Sequence, residues 1–267
     1  MFPVIQLGPL SIQARGLILL VAFWLSAEVA ERGAKRLGLR GEVVYSLAFV
    51  AAVAGVIGAR IGYVLEHWLA YQSDLGAIVA LNFNTLSPLA GAIAGVLVAY
   101  LSARRKGLAH RLLLDALTPG FIVLAGGLAL ADLASGDAYG SPSSLPWAIE
   151  LWGAARHPTP IYQLIAVVAI GLIVLKTDRV FDGARFGWFV ALSASSRLFI
   201  EAFRGDSETF GGVRTAQVWS LLVLLLMLVL LRRWAKSAGA SAANDGHSRG
   251  SGNPKHEVGH GASVRRV

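Results

Sequence analysis

The sequence predicts an all-α, polytopic membrane protein with seven transmembrane helices, and two observations support this prediction. Of the 267 residues, 55% are hydrophobic and only 15% are charged, and the mean hydropathy is +0.60. Because a soluble domain carries charge on roughly a quarter of its residues, this composition excludes an ordinary globular fold. In addition, apolar stretches long enough to cross a bilayer, about 17 to 25 residues each, recur along the chain.

The predicted spans follow one another with short connections. Together they form one transmembrane domain over residues 1–236. No Lys or Arg precedes Arg15, and no small-residue cleavage pattern follows the first apolar stretch, so we expect no removable signal peptide. The seven spans lie near residues 12–30, 43–65, 86–102, 112–133, 160–175, 186–203 and 216–231.

The basic residues of the connections predict the orientation of these spans. Lys and Arg are retained on the cytoplasmic side of a membrane. The connections on one side hold most of them, whereas those on the other side hold only Arg156, Arg204 and Arg214. The N-terminus is therefore predicted outside and the C-terminus inside. The residues on the inner side are Arg32, Lys35, Arg36, Arg40, Arg104, Arg105, Lys106, Arg111, Lys176, Arg179, Arg185, Arg232, Arg233 and Lys236.

Residues 237–267 are rich in Gly, Ser, Ala, Asn and His, and we predict a disordered, basic cytoplasmic tail. The end of the chain from Arg232 onward holds most of the net charge of +8, so the apolar body is nearly neutral and we expect no nucleic-acid partner. The tail contains an H-E-x-x-H spacing at His256 and His260, but Pro254 and Gly259 disfavour the helix that a zinc site needs. We expect no metal and no cofactor. The chain has no cysteine, so a thiol in its chemistry has to come from a partner.

Several ionisable residues fall within or beside the predicted spans, where charge is expensive and usually marks function. With the predicted orientation, they all lie toward the outer leaflet. For each residue alone, the alternative is snorkelling to the interface, or an i,i+4 pair between Arg197 and Glu201. As a group, outward arginines run against the positive-inside bias, and guanidinium groups bind phosphate well. We therefore predict a site for an anionic phospholipid. The residues are Arg15, Arg60, Asp132, Arg156, His157, Arg197, Glu201 and Arg204.

Three further features have mainly structural interpretations. Small residues spaced four apart at 58–62 and 91–95 predict close helix packing. Asp115 lies four residues after Arg111, which favours a structural ion pair over a proton relay. Asn82 and Asn84 predict a looped or re-entrant segment before the third span.

Five motifs occur in an order that resembles the bacterial prolipoprotein diacylglyceryl transferase family over residues 1 to about 235. Gln217 also resembles the opening of that family's last helix. The motifs are I-Q-L-G-P-L at 5–10, G-A-R-I-G-Y at 58–63, Asp115 with Pro119, R-H-P-T-P-I-Y at 156–162, and R-L-F-I-E-A-F-R at 197–204.

The resemblance implies an inner-membrane transferase whose active face is directed toward the periplasm. It would move the diacylglyceryl group of phosphatidylglycerol, or of another anionic phospholipid, to a lipobox cysteine thiol of a lipoprotein precursor and release glycerol phosphate. From the outer charged residues and the motifs together, we predict that the catalytic residues are Arg197, Glu201, Asp132 and His157, with Asp132, Asp137 or His157 assisting proton transfer. We predict that the headgroup-binding residues are Arg15, Arg60, Arg156 and Arg204.

The chain departs from the family pattern at several positions. Leu89 stands where the family has a histidine, and Ala129 stands where it has an arginine. Asp132 and Asp137 replace an asparagine and a glutamate, and Arg15 replaces a tyrosine. These departures support an alternative: a catalytically degenerate paralogue that binds a phospholipid or a lipoprotein precursor without transfer. A small-solute transporter is a third possibility, but neither a midplane polar site nor inverted repeats are visible in the sequence.

Overall fold

A computed structural model of the protein describes residues 4–7, 10–72, 75–79 and 85–250. The chain is mostly helical, which confirms the predicted class of helical membrane protein. A short helix α3, Trp68–Tyr71, follows the second long helix. The long helices are α1 (Ala14–Arg36), α2 (Gly41–Glu66), α4 (Pro88–Arg105), α5 (His110–Ser135), α6 (Thr159–Lys176), α7 (Ala184–Ile200) and α8 (Thr215–Gly250).

Each predicted span coincides with one of these long helices. Within the described part of the chain, four segments are long and apolar enough to cross a membrane. Seven spans and the orientation of the chain remain predictions. The four segments are Gly41–Glu66, His110–Ser135, Thr159–Lys176 and Thr215–Ala240.

The prediction of an all-α fold misses three antiparallel hairpins that the described residues form. Turn residues explain the second and the third. Trp152 and Gly153 both have positive φ, as do Gly211 and Gly212, and positive φ at both central residues is typical of the tight turns that join paired strands. The hairpins are β1 (Val4–Leu7) with β2 (Leu10–Gln13), β3 (Ile149–Leu151) with β4 (Ala154–Arg156), and β5 (Thr209–Phe210) with β6 (Val213–Arg214).

The predicted tail also begins differently. Helix α8 continues through Gly250 and so enters the region that we predicted to be disordered from residue 237. Residues 251–267, including His256 and His260, lie outside the described residues. Asn82 and Asn84 lie outside them as well.

Small residues let two helix pairs approach closely. Helix α1 packs along α5, where an added Cβ at Gly33 would lie 2.6 Å from the carbonyl oxygen of Ala116. Helix α2 packs along α4, where an added Cβ at Gly91 would lie 2.8 Å from the Cβ of Ala59. The packing interpretation of the small-residue spacings is therefore confirmed.

Asp115 has a structural role, but its predicted pairing with Arg111 is wrong. The Asp115 carboxylate accepts hydrogen bonds from the backbone N–H groups of Gly183, at 2.8 Å, and Phe186, at 3.0 Å. It therefore caps the start of α7, which has no side-chain cap of its own. The guanidinium of Arg111 instead lies over the ring of Trp234.

The length of α5 separates two ends of the helix bundle. At 1.5 Å per residue, this 26-residue helix is about 39 Å long. Asp132 lies in its last turn and His110 in its first. We call these the cluster end and the far end of the bundle.

Candidate active site

At the cluster end, three backbone segments meet in a structure that we call the junction: residues 139–143, 155–157 and 203–205. The first segment lies between the other two. Ser141 N donates to Phe203 O at 2.8 Å, and Gly205 N donates to Tyr139 O at 2.9 Å. On the other side, His157 N donates to Ser141 O at 3.1 Å. The junction thus fixes the ends of α5 and α7 relative to the start of α6.

The junction follows from local sequence. Helix α5 ends because Gly136 adopts the left-handed conformation that commonly terminates helices. Ala138 then has φ +54°, an unfavourable conformation for a residue with a Cβ. The hydroxyl of Thr159, the first residue of α6, donates a hydrogen bond to Ala138 O and supports this turn.

Glu201 is the most buried member of a group of charged side chains that we call the charged cluster. The members are Arg15, Asp132, Asp137, Arg197, Glu201, Arg204 and Asp206. The Glu201 side chain is only 2% exposed. Its Oε2 lies 3.2 Å from Arg197 Nε and 3.8 Å from Arg204 Nε. Its Oε1 accepts a hydrogen bond from Ser207 Oγ at 2.7 Å. The i,i+4 pair considered from the sequence therefore forms, and it belongs to a larger arrangement.

Arg204 is held by two carboxylates. Its Nε donates to Asp206 Oδ1 at 2.9 Å and its Nη2 donates to Asp206 Oδ2 at 2.7 Å, a bidentate pair. Its side chain is 13% exposed. Arg214, on β6, donates to the carbonyl oxygens of Glu201 and Arg204, so the hairpin after α7 fixes the backbone that carries them.

Arg15 brings α1 into the charged cluster. Its Nη2 lies 3.2 Å from Asp132 Oδ1, and its Nη1 pairs with Asp137 Oδ2. Asp137 also accepts a hydrogen bond from Ser135 Oγ at 2.9 Å. A cation in the first turn of a helix opposes the helix dipole, so these two carboxylates stabilise Arg15 where it stands.

Electrostatics connect the two halves of the cluster. Asp132 lies close enough to Arg15, Arg204 and Arg197 for the positive charges of all three to act on it. The structure therefore brings together Arg15, Asp132, Arg197, Glu201 and Arg204 at one end of the bundle. Of these, Arg197 and Arg15 are the more exposed guanidinium groups.

Arg156 and His157 belong to the junction. Arg156 Nε donates to Leu151 O at 3.1 Å, its Nη1 donates to Gly140 O at 3.3 Å, and its guanidinium lies over the Tyr139 ring. His157 Nδ1 lies 3.3 Å from the hydroxyl of Tyr162. Arg156 is therefore occupied in holding the backbone and ring around it, whereas the described hydrogen bonds of the His157 ring use only Nδ1.

His157 also lines an apolar groove on the neighbouring face of α6 and α7. The groove has a volume of about 510 Å³. The lining residues with polar side-chain atoms are His157, Tyr162, Ser196 and Trp147. Trp147 Nε1 donates to the Tyr162 hydroxyl at 2.8 Å. The apolar part of the lining includes Leu145, Ile165, Ala166, Phe199, Ile200 and Phe203.

Arg60 has no described contact with the charged cluster. It donates to three backbone carbonyls of the segment that follows α3: Ala77 O at 2.6 Å, Ile78 O at 2.9 Å and Thr85 O at 3.1 Å. Its guanidinium also contacts the hydroxyl of Thr85 and the ring of Tyr71. Most donors of the Arg60 guanidinium are thus used in hydrogen bonds to this segment.

The sequence did not identify Asp206, Ser207 and Arg214 as site residues. The spacing of Asp206 from Arg204 could have indicated their pairing. Arg204 has extended backbone angles, and residues two apart in an extended chain share a face. The positions of the family's histidine and arginine also have clear environments: Leu89 is 72% exposed, and Ala129 is 1% exposed against the helix packing. In the described part of the chain, no three His, Asp or Glu side chains are grouped to hold a metal ion.

Comparison with known proteins gives a consistent result. The family profile described as prolipoprotein diacylglyceryl transferase matches residues 3–233. A phosphatidylglycerol–prolipoprotein diacylglyceryl transferase of Finegoldia magna is 28% identical over 227 residues, which cover 83% of this chain and 90% of the relative. The protein of the same name from Clostridioides difficile is 29% identical over 209 residues, with 78% and 84% coverage. That of Frankia alni is 30% identical over 249 residues, with 86% and 66% coverage.

Proposed function

The chain belongs to the prolipoprotein diacylglyceryl transferase family, and we propose that the charged cluster is the active site at which it transfers diacylglyceryl from phosphatidylglycerol to a prolipoprotein. One observation carries this assignment: Arg197, with its side chain 39% exposed, lies directly beside the buried Glu201 and the clamped Arg204. The site thus offers a reachable guanidinium beside two buried or nearly buried charged side chains that are fixed by their partners.

The roles of the arginines follow from their partners. The described contacts of Arg197 use only its Nε, so its Nη1 and Nη2 groups are available to phosphate oxygens. Arg15 provides a second exposed guanidinium across the cluster. Arg204 is clamped by Asp206 and acts through its charge. Arg156 and Arg60 act by positioning the junction and the segment after α3, since their donors are used there.

The reaction uses this arrangement for its leaving group. The thiol of the precursor loses its proton, and its sulfur forms a bond with the glycerol carbon that carries the phosphate ester. The C–O bond breaks, and the electron pair leaves on glycerol phosphate. Fixed guanidinium groups stabilise the negative charge that develops on this phosphate. His157, oriented by Tyr162, accepts the thiol proton, and Asp132 balances the charge of Arg15.

The same proposal places the protein in the membrane. Seven spans, with the N-terminus outside, direct the cluster end toward the periplasmic leaflet of the bacterial inner membrane. The groove between α6 and α7 lies beside the cluster and offers the apolar surface that acyl chains need.

Transfer from labelled phosphatidylglycerol to a cysteine-containing lipobox peptide tests the proposal. Purified protein should label the peptide, and a peptide with serine in place of cysteine should stay unlabelled. Arg197→Gln should lower the rate about 100-fold, as expected when one donor to a developing charge is lost. Arg32→Gln is a matched control, because Arg32 is exposed and paired only with Glu28 on α1. No labelling, or equal rates in both variants, would contradict the proposal.

The second candidate is a paralogue that binds a phospholipid or a lipoprotein precursor without transfer. The exposed Leu89 and the buried Ala129 favour it, because neither side chain can take a proton or bind phosphate. Three results together would identify this second function. Phosphatidylglycerol co-purifies with the protein, it is lost in Arg197→Gln, and it is never consumed.

A further inference from the structure

A polar cavity lies at the far end of the bundle, about 39 Å along α5 from the charged cluster. Its volume is about 550 Å³, within the usual range for small-molecule sites. It is lined by the first turn of α5, the turn before α7 and the part of α8 around Trp234. The polar side chains in its lining are those of His110, Arg111, Asp182, Trp234 and Ser237.

Arg111 is the central charge of this cavity. Its guanidinium lies 5.3 Å from the centre of the Trp234 ring, and its Nη1 donates to Ser237 Oγ at 3.0 Å. The nearby carboxylates are already engaged: Asp115 caps α7, and Asp182 pairs with Arg179 at 3.0 Å. Among the described residues, no carboxylate forms an ion pair with Arg111. The stacked guanidinium therefore retains donors for an anion.

The first turn of α5 supplies no negative charge to Arg111. Helix α5 has no acidic residue in its first turn and no side-chain cap at Ala109, yet His110 and Arg111 place a basic imidazole and a cation there. The helix dipole disfavours positive charge at this position and favours a negative ligand. In addition, Nε2 of His110 is buried without a hydrogen-bond partner in the described part of the chain.

From this cavity, we propose a second phospholipid site, in which the phosphate of an anionic lipid from the leaflet at the far end binds Arg111 above Trp234. A lipid suits the position, because Trp and basic residues are typical of the membrane interface. Exposed cations continue on α8 on both sides of Trp234, at Arg232, Arg233 and Lys236. The site is separate from the charged cluster and does not depend on the transfer reaction.

The test counts bound lipids on the full-length protein by native mass spectrometry in a zwitterionic detergent. The Arg197→Gln background removes binding at the charged cluster. Short-chain phosphatidylglycerol, short-chain phosphatidylcholine and inorganic phosphate are the three probes. Phosphatidylglycerol should bind once, and Arg111→Gln should weaken it about tenfold, the size expected for one charge-assisted contact. Arg105→Gln, at an exposed arginine that ends α4 outside the cavity, should leave binding unchanged.

Three outcomes decide the matter. Equal affinity in Arg111→Gln and in its parent overturns the proposal, and so does phosphatidylcholine that binds as tightly as phosphatidylglycerol. If inorganic phosphate displaces phosphatidylglycerol at a concentration equal to that of the lipid, the cavity binds free phosphate and the proposed lipid is overturned. Arg111→Lys guards against a folding defect, because it keeps the charge and should keep most of the binding.

Discussion

Replacing Glu201 with glutamine removes the one buried negative charge between Arg197 and Arg204 while preserving the shape of the side chain. The bond from Ser207 Oγ can survive, since the amide oxygen still accepts it. The amide NH2 group, however, then faces two guanidinium groups at the position where Oε2 now lies 3.2 Å and 3.8 Å from their nitrogens. The substitution therefore turns two attractions into repulsions.

The magnitude follows from these distances and exposures. At an effective dielectric constant of ~20, unit charges about 4 Å apart attract by about 4 kcal/mol. Desolvation of Glu201 offsets part of this attraction. Arg197 is partly exposed, and Asp206 continues to balance Arg204. We therefore expect a loss of about 2 to 3 kcal/mol in the free energy of unfolding.

Two assays measure this loss. Intrinsic tryptophan fluorescence in detergent should show a Tm lower by roughly 5 to 10 °C, at the 2 to 4 °C per kcal/mol typical of chains of this size. Peptide transfer should slow by at least about 100-fold, because Arg197 loses its orientation. Glu208→Gln is the control, an exposed glutamate on the same connection without a described ion pair. A Glu201→Gln variant with the parent's Tm and rate would refute the reasoning.

Three further predictions concern residues that hold the backbone or the arginines in place. Asp206→Asn releases one side of the Arg204 clamp and should cost about 1 to 2 kcal/mol in stability and raise KM more than it lowers kcat, as measured by transfer kinetics. Gly140→Ala places a Cβ against the backbone of His157 and should reduce both Tm and transfer, whereas Gly16→Ala, which meets open space, should not. Asp115→Ala uncaps α7 far from the cluster and should lower Tm at an unchanged KM, since about 1 to 3 kcal/mol of capping is lost.

The sequence predicted the helices well because each contains a long, mainly apolar run, and recognising such a run needs no tertiary information. The hairpins escaped this reasoning. The turn signals of the second and third hairpins, Trp152–Gly153 and Gly211–Gly212, lie in connections between the long helices, where hydrophobic periodicity gives no guidance. Local turn chemistry, rather than burial, determines those elements.

The candidate site was predictable in part for a similar reason. Arg15, Arg197 and Arg204 could be singled out because arginine is rare at the predicted outer ends of membrane spans. The position of an arginine along a span does not reveal whether its donors are already occupied, so Arg60 looked the same as Arg197 in the sequence. Nor does i,i+4 spacing select a partner: Asp115 binds backbone N–H groups of α7 across the bundle instead of Arg111.

The close packing of α1 on α5 and of α2 on α4 restricts how a lipid enters the protein. At Gly120, an added Cβ would lie 2.6 Å from Ser26 O, and at Gly95 it would lie 2.9 Å from Ala51 O. An acyl chain is wider than the single methyl group that these contacts already exclude. A phospholipid that diffuses from the bilayer to Arg197, as we propose, therefore has to pass between other helices. Bulky substitutions within these two helix pairs should not obstruct its entry.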